Sequence, residues 1–159
     1  MSEAPPRVVL RQQQDFQFAI DFGADLPKLI GDENPPLGRG RGPTPVQLLA
    51  AAVGNCLSDS LLFACAKFKQ TPEPISCEVT AEIGRNADNR LRVLGLDVAL
   101  TLGVPAASLQ HLDRVLEQFE AFCTVGASVA QGIPLHVSVR DANGQQLKQG
   151  REAWPRAHP

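Results

Sequence analysis

The chain has 159 residues, of which 43% are hydrophobic and 20% charged, with a formal net charge of −2. A single domain is expected at this length, and folding can bury about two-thirds of the chain's surface, so neither a metal nor a disulfide is required to hold it. Acids and bases are interspersed without a basic block, which argues against a nucleic-acid footprint.

Four cysteines are present, Cys56, Cys65, Cys77 and Cys123. A small secreted disulfide scaffold would be denser in cysteine, and Met1 to Val9 lacks a charged-then-apolar leader pattern. The longest apolar stretch, Val46 to Phe68, is broken by Asn55, Ser58, Asp59 and Ser60, so it reads as a core helix and not a membrane span. A reducing cytoplasm is therefore expected, where paired cysteines are more often catalytic than structural.

Residues 7–22 have the pattern of a β-hairpin. Val8 and Leu10 alternate in one arm, Phe16, Phe18 and Ile20 in the other, and Arg11 to Asp15 makes the turn. A long loop rich in Gly and Pro follows from Gly31 to Thr44 and carries Arg39 and Arg41. Thr44 and Pro45 then mark a helix start, and the helix runs to about Lys69, where Pro72 and Pro74 end it. It is apolar nearly all round, which places it inside the fold or in a subunit interface.

Two strands come next. Cys77, Val79, Ala81 and Ile83 share one face of the first, and Leu94, Leu96, Val98, Leu100 and Leu102 that of the second. Asn86 to Asn89 supplies the turn, so the two should pair antiparallel. Leu109, Leu112, Leu116 and Phe119 predict a second helix from Pro105 to about Ala121. A third helix is expected over Thr124 to Ala130, closed by Gly132, followed by a strand bearing Ile133, Leu135, Val137 and Val139. The expectation is an α+β fold of antiparallel strands with helices on one side, forming one domain over 1–145 with a loose polar tail over 146–159.

Cys123 sits between two helices, where the N–H groups opening the third should favour a thiolate. Cys56 lies within the long helix beside Gly54, a costly residue there by roughly 1 kcal/mol. Close approach of another backbone or of a substrate would explain that glycine. An activating charge for Cys56 would have to come from elsewhere, Arg39 and Arg41 being nearest in sequence. Cys65, which falls on the opposite helix face from Cys56, and Cys77, on the apolar face of its strand, read as structural. The chain has no Cys-x-x-Cys, and His111, His136 and His158 form no cluster with the cysteines, so no metal is expected. His136 reads as a surface residue.

The segment from Gly42 to Leu57, with Cys56 near its end, resembles the G-P-x-P-x-x-L-L-x-A-A-x-x-x-C helix of the OsmC/Ohr family of thiol peroxidases. Phe122 to Pro134, carrying Cys123, is similar to that family's C-T-V-x-x-S-x-x-x-G-I-P stretch, and the resemblance spans residues 7–140. It implies an OsmC-like fold, an intertwined homodimer whose antiparallel sheets wrap long central helices, with active sites at the subunit interface. It also implies that Cys56 is the peroxidatic thiolate attacking an organic hydroperoxide, alkyl or fatty-acid, and that Cys123 resolves its sulfenic acid as a disulfide. A dithiol such as lipoamide, or another thiol donor, would reduce the pair, with no cofactor, metal, nucleic acid or membrane involved.

One departure stands out. Peroxidases of this family carry a Glu ten residues before the peroxidatic Cys, where this chain has Val46, and related subgroups place it one residue later, where it has Gln47. Gln47 can accept a hydrogen bond from an Arg but adds no charge. Arg39 is the first choice for the activating Arg, Arg41 the second, and Arg11 lies where another branch keeps one. The alternative function is therefore an OsmC-like redox or ligand-binding protein that is not a peroxidase, or one with other thiol chemistry.

Overall fold

A computed structural model describes residues 4–23 and 25–150 of the chain, so most of the expected tail, 151–159, lies outside the described residues. The fold is α+β, as expected, with two sheets and three α-helices among the described residues. The chain forms two compact units, Met1–Leu49 and Ala50–Pro159.

In the first unit, β1 (Val9–Gln14) and β2 (Gln17–Asp21) form the expected antiparallel hairpin. Its turn is tighter than the polar run suggested. Gln12 to Gln14 stay in the strand, and Asp15, at φ 46°, reverses the chain. A third strand, β3 (Leu29–Gly31), adds antiparallel to β2; three residues are too few to reveal a period of two. Asp32 then organises the long loop. Its buried carboxylate accepts the N–H groups of Glu33 at 2.8 Å, Arg39 at 3.3 Å and Arg41 at 3.0 Å. These bonds, that of Arg41 foremost, hold the carboxyl below its ordinary value against the opposing effect of burial.

Helix α1 (Pro45–Lys67) opens with a reciprocal cap. Thr44 Oγ1 accepts the Gln47 N–H at 3.3 Å, and Gln47 Oε1 accepts the Thr44 N–H at 2.9 Å. The helix is long and apolar enough, by length and composition, to cross a membrane. In this fold Val53, Leu57, Leu61 and Ala64 bury one face of it in the hydrophobic core of the second unit. The helix is not covered all round, because Ala51, Ala52, Asn55, Asp59 and Phe63 are exposed in the single chain.

The second unit continues with β4 (Ser76–Arg85) and β5 (Leu91–Thr101), antiparallel about the expected turn. The apolar alternation of β4 holds through Ala81. A register shift between Glu82 and Ile83 then turns Ile83 outward, so this member of the expected buried face is exposed.

The helix expected from Pro105 to Ala121 is divided into a 3-10 turn at Ala106–Ser108, α2 (Leu112–Gln118) and a second 3-10 turn at Phe119–Phe122. Two features interrupt it. His111 is left-handed at φ 58°, and the Gln110 N–H donates to Gln70 Oε1 at 2.7 Å instead of within a helix. Helix α3 (Thr124–Val129) follows as expected, with the Gly132 and Ile133 N–H groups returning to the Val129 carbonyl.

The next strand, β6 (Leu135–Arg140), pairs parallel with β5, which corrects the all-antiparallel expectation. The chain between them crosses over through α2 and α3, a connection long enough for a parallel return. A short β7 (Gln146–Lys148), in the segment expected to be tail, pairs antiparallel with β6. Buried Asp141 fixes the intervening turn by accepting the N–H groups of Ala106, Asn143 and Gln145 at 2.8–2.9 Å.

Candidate active site

Cys56 is half-buried on α1, next to Leu57, which points into the core. Cys123 is buried at the junction between the 3-10 turn and α3. It is the N-cap of α3, with extended backbone, and its sulfur accepts the Gly126 N–H at 3.1 Å. The neighbouring Val125 N–H donates to Cys56 Sγ at 3.5 Å. Two successive amides of one helical turn thus serve two different sulfurs. The two thiols influence each other's ionisation, and neither is in a disulfide.

This arrangement corrects the expected division of electrostatics. Burial raises both thiols, but it is outweighed at Cys56 by the Val125 N–H, the Cys123 thiol and the Gly126 N–H, with Asp59 opposing weakly. Cys56 therefore falls below the ordinary value of 9.0. Cys123 rises, first through burial and then through the adjacent Cys56, although the Gly126 N–H and the Ser60 hydroxyl pull it back. The helix start lies beside Cys123, as expected, but the thiol held as the stronger acid is Cys56. A half-buried thiol held as the stronger acid beside a buried thiol held as the weaker one is an arrangement suited to thiol–disulfide chemistry.

The glycines have specific reasons. A Cβ on Gly126 would lie 2.7 Å from Cys123 Sγ, so only glycine lets that amide approach the sulfur so closely. Replacing it as Gly126→Ala should displace the sulfur and slow Cys56–Cys123 disulfide formation about fivefold, the effect of losing one hydrogen bond worth about 1 kcal/mol. Stopped-flow oxidation of the reduced variant measures this. A Cβ on Gly54 would meet Val79 Cγ2 at 2.7 Å and Cys77 Sγ at 3.3 Å. The close neighbours of Gly54 are thus side chains of β4, neither a backbone nor a substrate.

Cys65 and Cys77 lie where packing cysteines were expected. Burial, with a smaller contribution from Glu73, pushes Cys65 up to about 11. Burial also raises Cys77, and the Ser58 hydroxyl moderates the rise. Alkylation with iodoacetamide at neutral pH should therefore label Cys56 first and Cys65 last, as read by peptide mass mapping.

The other expected site residues all belong to the first unit. Arg39 pairs with Asp15 at 3.1 Å, with both side chains more than half exposed. Such a pair contributes less than about 1 kcal/mol, so its guanidinium can turn to another anion at small cost. Arg41 is exposed, and only its backbone N–H is committed, to Asp32. Gln47 spends its side-chain oxygen on the helix cap. The Thr-x-x-Gln spacing was the available signal for that role.

Val125 and Gly126 were missed as site residues, although their place as second and third residues of a Cys-capped helix was readable. Ser60 was also missed. It is buried and donates to the Cys56 carbonyl at 2.8 Å. His136 is half-buried on β6, not a surface residue. Among the described residues, no group of three or more His, Cys, Asp or Glu is placed to hold a metal.

Comparison with known proteins places this geometry in context. The family model for OsmC-like proteins matches residues 38–138. An OsmC-like protein from Mycoplasma pneumoniae has a similar structure at a TM-score of 0.72 and 12% identity, covering 88% of this chain and 99% of that one. The organic hydroperoxide resistance protein OsmC of Legionella pneumophila is similar at a TM-score of 0.67 and 15% identity, over 86% and 98%. An organic hydroperoxide resistance protein of Elizabethkingia anophelis gives 0.68 and 10%, over 88% and 99%. Likeness at these identities shows the fold. Among curated proteins, none matches the chain in sequence.

Proposed function

The chain belongs to the OsmC-like protein family, and from that membership and its paired sulfurs we propose that it is a thiol peroxidase acting on organic hydroperoxides. The observation that carries this reading is the split of adjacent α3 amides between the two sulfurs, with Cys56 lowered and Cys123 raised.

The Cys56 thiolate attacks the distal oxygen of the hydroperoxide and the O–O bond breaks. Two electrons leave sulfur, the alkoxide takes up a proton as alcohol, and Cys56 becomes a sulfenic acid. The Cys123 thiol then displaces that hydroxyl as water, and the S–S bond forms. A dithiol of the lipoamide class, or two equivalents of another thiol, exchanges with this disulfide and restores both thiols. Arg39, ahead of Arg41, is our candidate for steadying the thiolate, and Arg39→Gln is expected to slow oxidation of Cys56 more than Arg41→Gln does.

The direct test is product formation. Reduced protein with a dithiol and tert-butyl hydroperoxide should release one alcohol per dithiol oxidised, and absence of alcohol at substrate excess would refute the reading. The pH profile has a definite sign. Because Cys56 is lowered, the oxidation rate should climb with thiolate fraction and level off at a pH below the ordinary thiol value of 9.0. A rate still rising through 9.0 would contradict the lowered thiol.

A homodimer is part of this proposal. On the first unit Leu10, Phe16 and Phe18 are exposed at 56%, 47% and 37%, an apolar strip suited to cover by a second copy. Light scattering should give twice the chain mass. A second reading, a redox or ligand-binding protein without peroxidase activity, draws on the commitment of Gln47 to the cap. It requires Cys56 to titrate as an ordinary thiol.

A further inference from the structure

On α1, Phe63 and Lys67 follow Cys56 by seven and eleven residues, which brings all three onto one face of the helix. Phe63 is 55% exposed and Phe122 37% exposed, and their rings meet edge to face at 5.3 Å. Phe122 immediately precedes Cys123, so this aromatic pair adjoins the thiol site. The Lys67 ammonium lies 4.6 Å from the centre of the Phe122 ring and 5.8 Å from that of Phe63. Among the described residues it makes no ion pair with a carboxylate.

The face therefore has a direction. Its start carries the sulfur of Cys56 and the negative charge of Asp59, its middle is aromatic, and its far end holds a cation. Solvent-exposed aromatic surface favours an aliphatic chain, the cation favours a carboxylate, and Asp59 repels a carboxylate bound in reverse. Eleven residues of helix rise about 16 Å, and the lysine stem folds back toward the helix start, so this is an upper limit on the reach. At about 1.2 Å per bond in an extended chain, it matches up to roughly a dozen carbon–carbon bonds.

We propose that Phe63, Phe122 and Lys67 form an acyl-chain subsite that selects hydroperoxides carrying a terminal carboxylate, with Lys67 binding the carboxylate and the two rings bearing the chain. The subsite deepens the peroxidase reading and rests on it for the chemistry at Cys56. Its own content is the preference for a free acid over the neutral ester of the same chain.

The test compares linoleic acid hydroperoxide with its methyl ester at low salt, using the reduced full chain. Wild type should prefer the acid by about tenfold in kcat/KM, and Lys67→Gln should bring the acid-to-ester ratio near one. Lys67→Arg should restore the preference, and Phe63→Ser should lower kcat/KM for acid and ester together. Added salt should erode the wild-type preference. A ratio unchanged in Lys67→Gln, or near one in wild type, overturns the subsite. Calorimetric binding of the corresponding hydroxy fatty acid separates this failure from failure of the peroxidase reading. If no hydroperoxide is consumed, about tenfold weaker binding to Lys67→Gln still supports the subsite, and equal binding overturns it.

Discussion

Cys56→Ser should abolish hydroperoxide-driven thiol loss, whereas Cys123→Ser should retain the first oxidation and stop there. The difference follows from the two environments. In Cys123→Ser the Val125 N–H can still reach the Cys56 sulfur, so a thiolate can still form and attack. The sulfenic acid then has no partner thiol beside it and accumulates, to be trapped by dimedone and weighed as the adduct. In Cys56→Ser the remaining thiol of the pair is buried and raised, Cys65 is pushed up to about 11, and burial raises Cys77 as well. None of these presents an accessible thiolate at neutral pH. Oxidation in Cys56→Ser at the wild-type rate would move the attacking role elsewhere.

The second large effect is structural. Phe119 is fully buried at the start of the 3-10 turn that leads to Cys123 and packs in the core with α1 and β5 residues. Phe119→Ala should destabilise the protein by about 3–5 kcal/mol, through lost burial and the cavity left behind. Urea unfolding should show a lower midpoint with unchanged slope. Because the same turn sets the Cys123 backbone, disulfide formation should also slow under conditions where the variant remains folded. A cost below about 1 kcal/mol would mean that the ring is not a core element.

Much of this was readable in the sequence, and the exceptions have physical causes. The period-two runs of β4 and β5 and the capped start of α1 carried their elements plainly. Strands β3 and β7 escaped because three residues hold too little pattern. The parallel pairing of β6 depends on the crossover path, which no local pattern encodes. The break at Gln110 and His111 depends on a hydrogen bond from Gln70, forty residues away, that overrides the leucine spacing. At the site, the two motifs placed Cys56 and Cys123, and proximity in space makes them a pair. The inversion of their acidities was not readable, because it depends on which sulfur is more buried and on one amide bonding across to α1. Ile83 followed the alternation on paper until a bulge turned it outward.

The proposed function requires Cys56 and Cys123 to oxidise as a pair. Intact mass and peptide mapping of reduced protein after one equivalent of tert-butyl hydroperoxide test it directly. The expected result is a chain lighter by two hydrogens, with one crosslinked peptide joining Cys56 to Cys123 and with Cys65 and Cys77 still free. A retained oxygen on Cys56 without a crosslink, or a crosslink through Cys65 or Cys77, would contradict it.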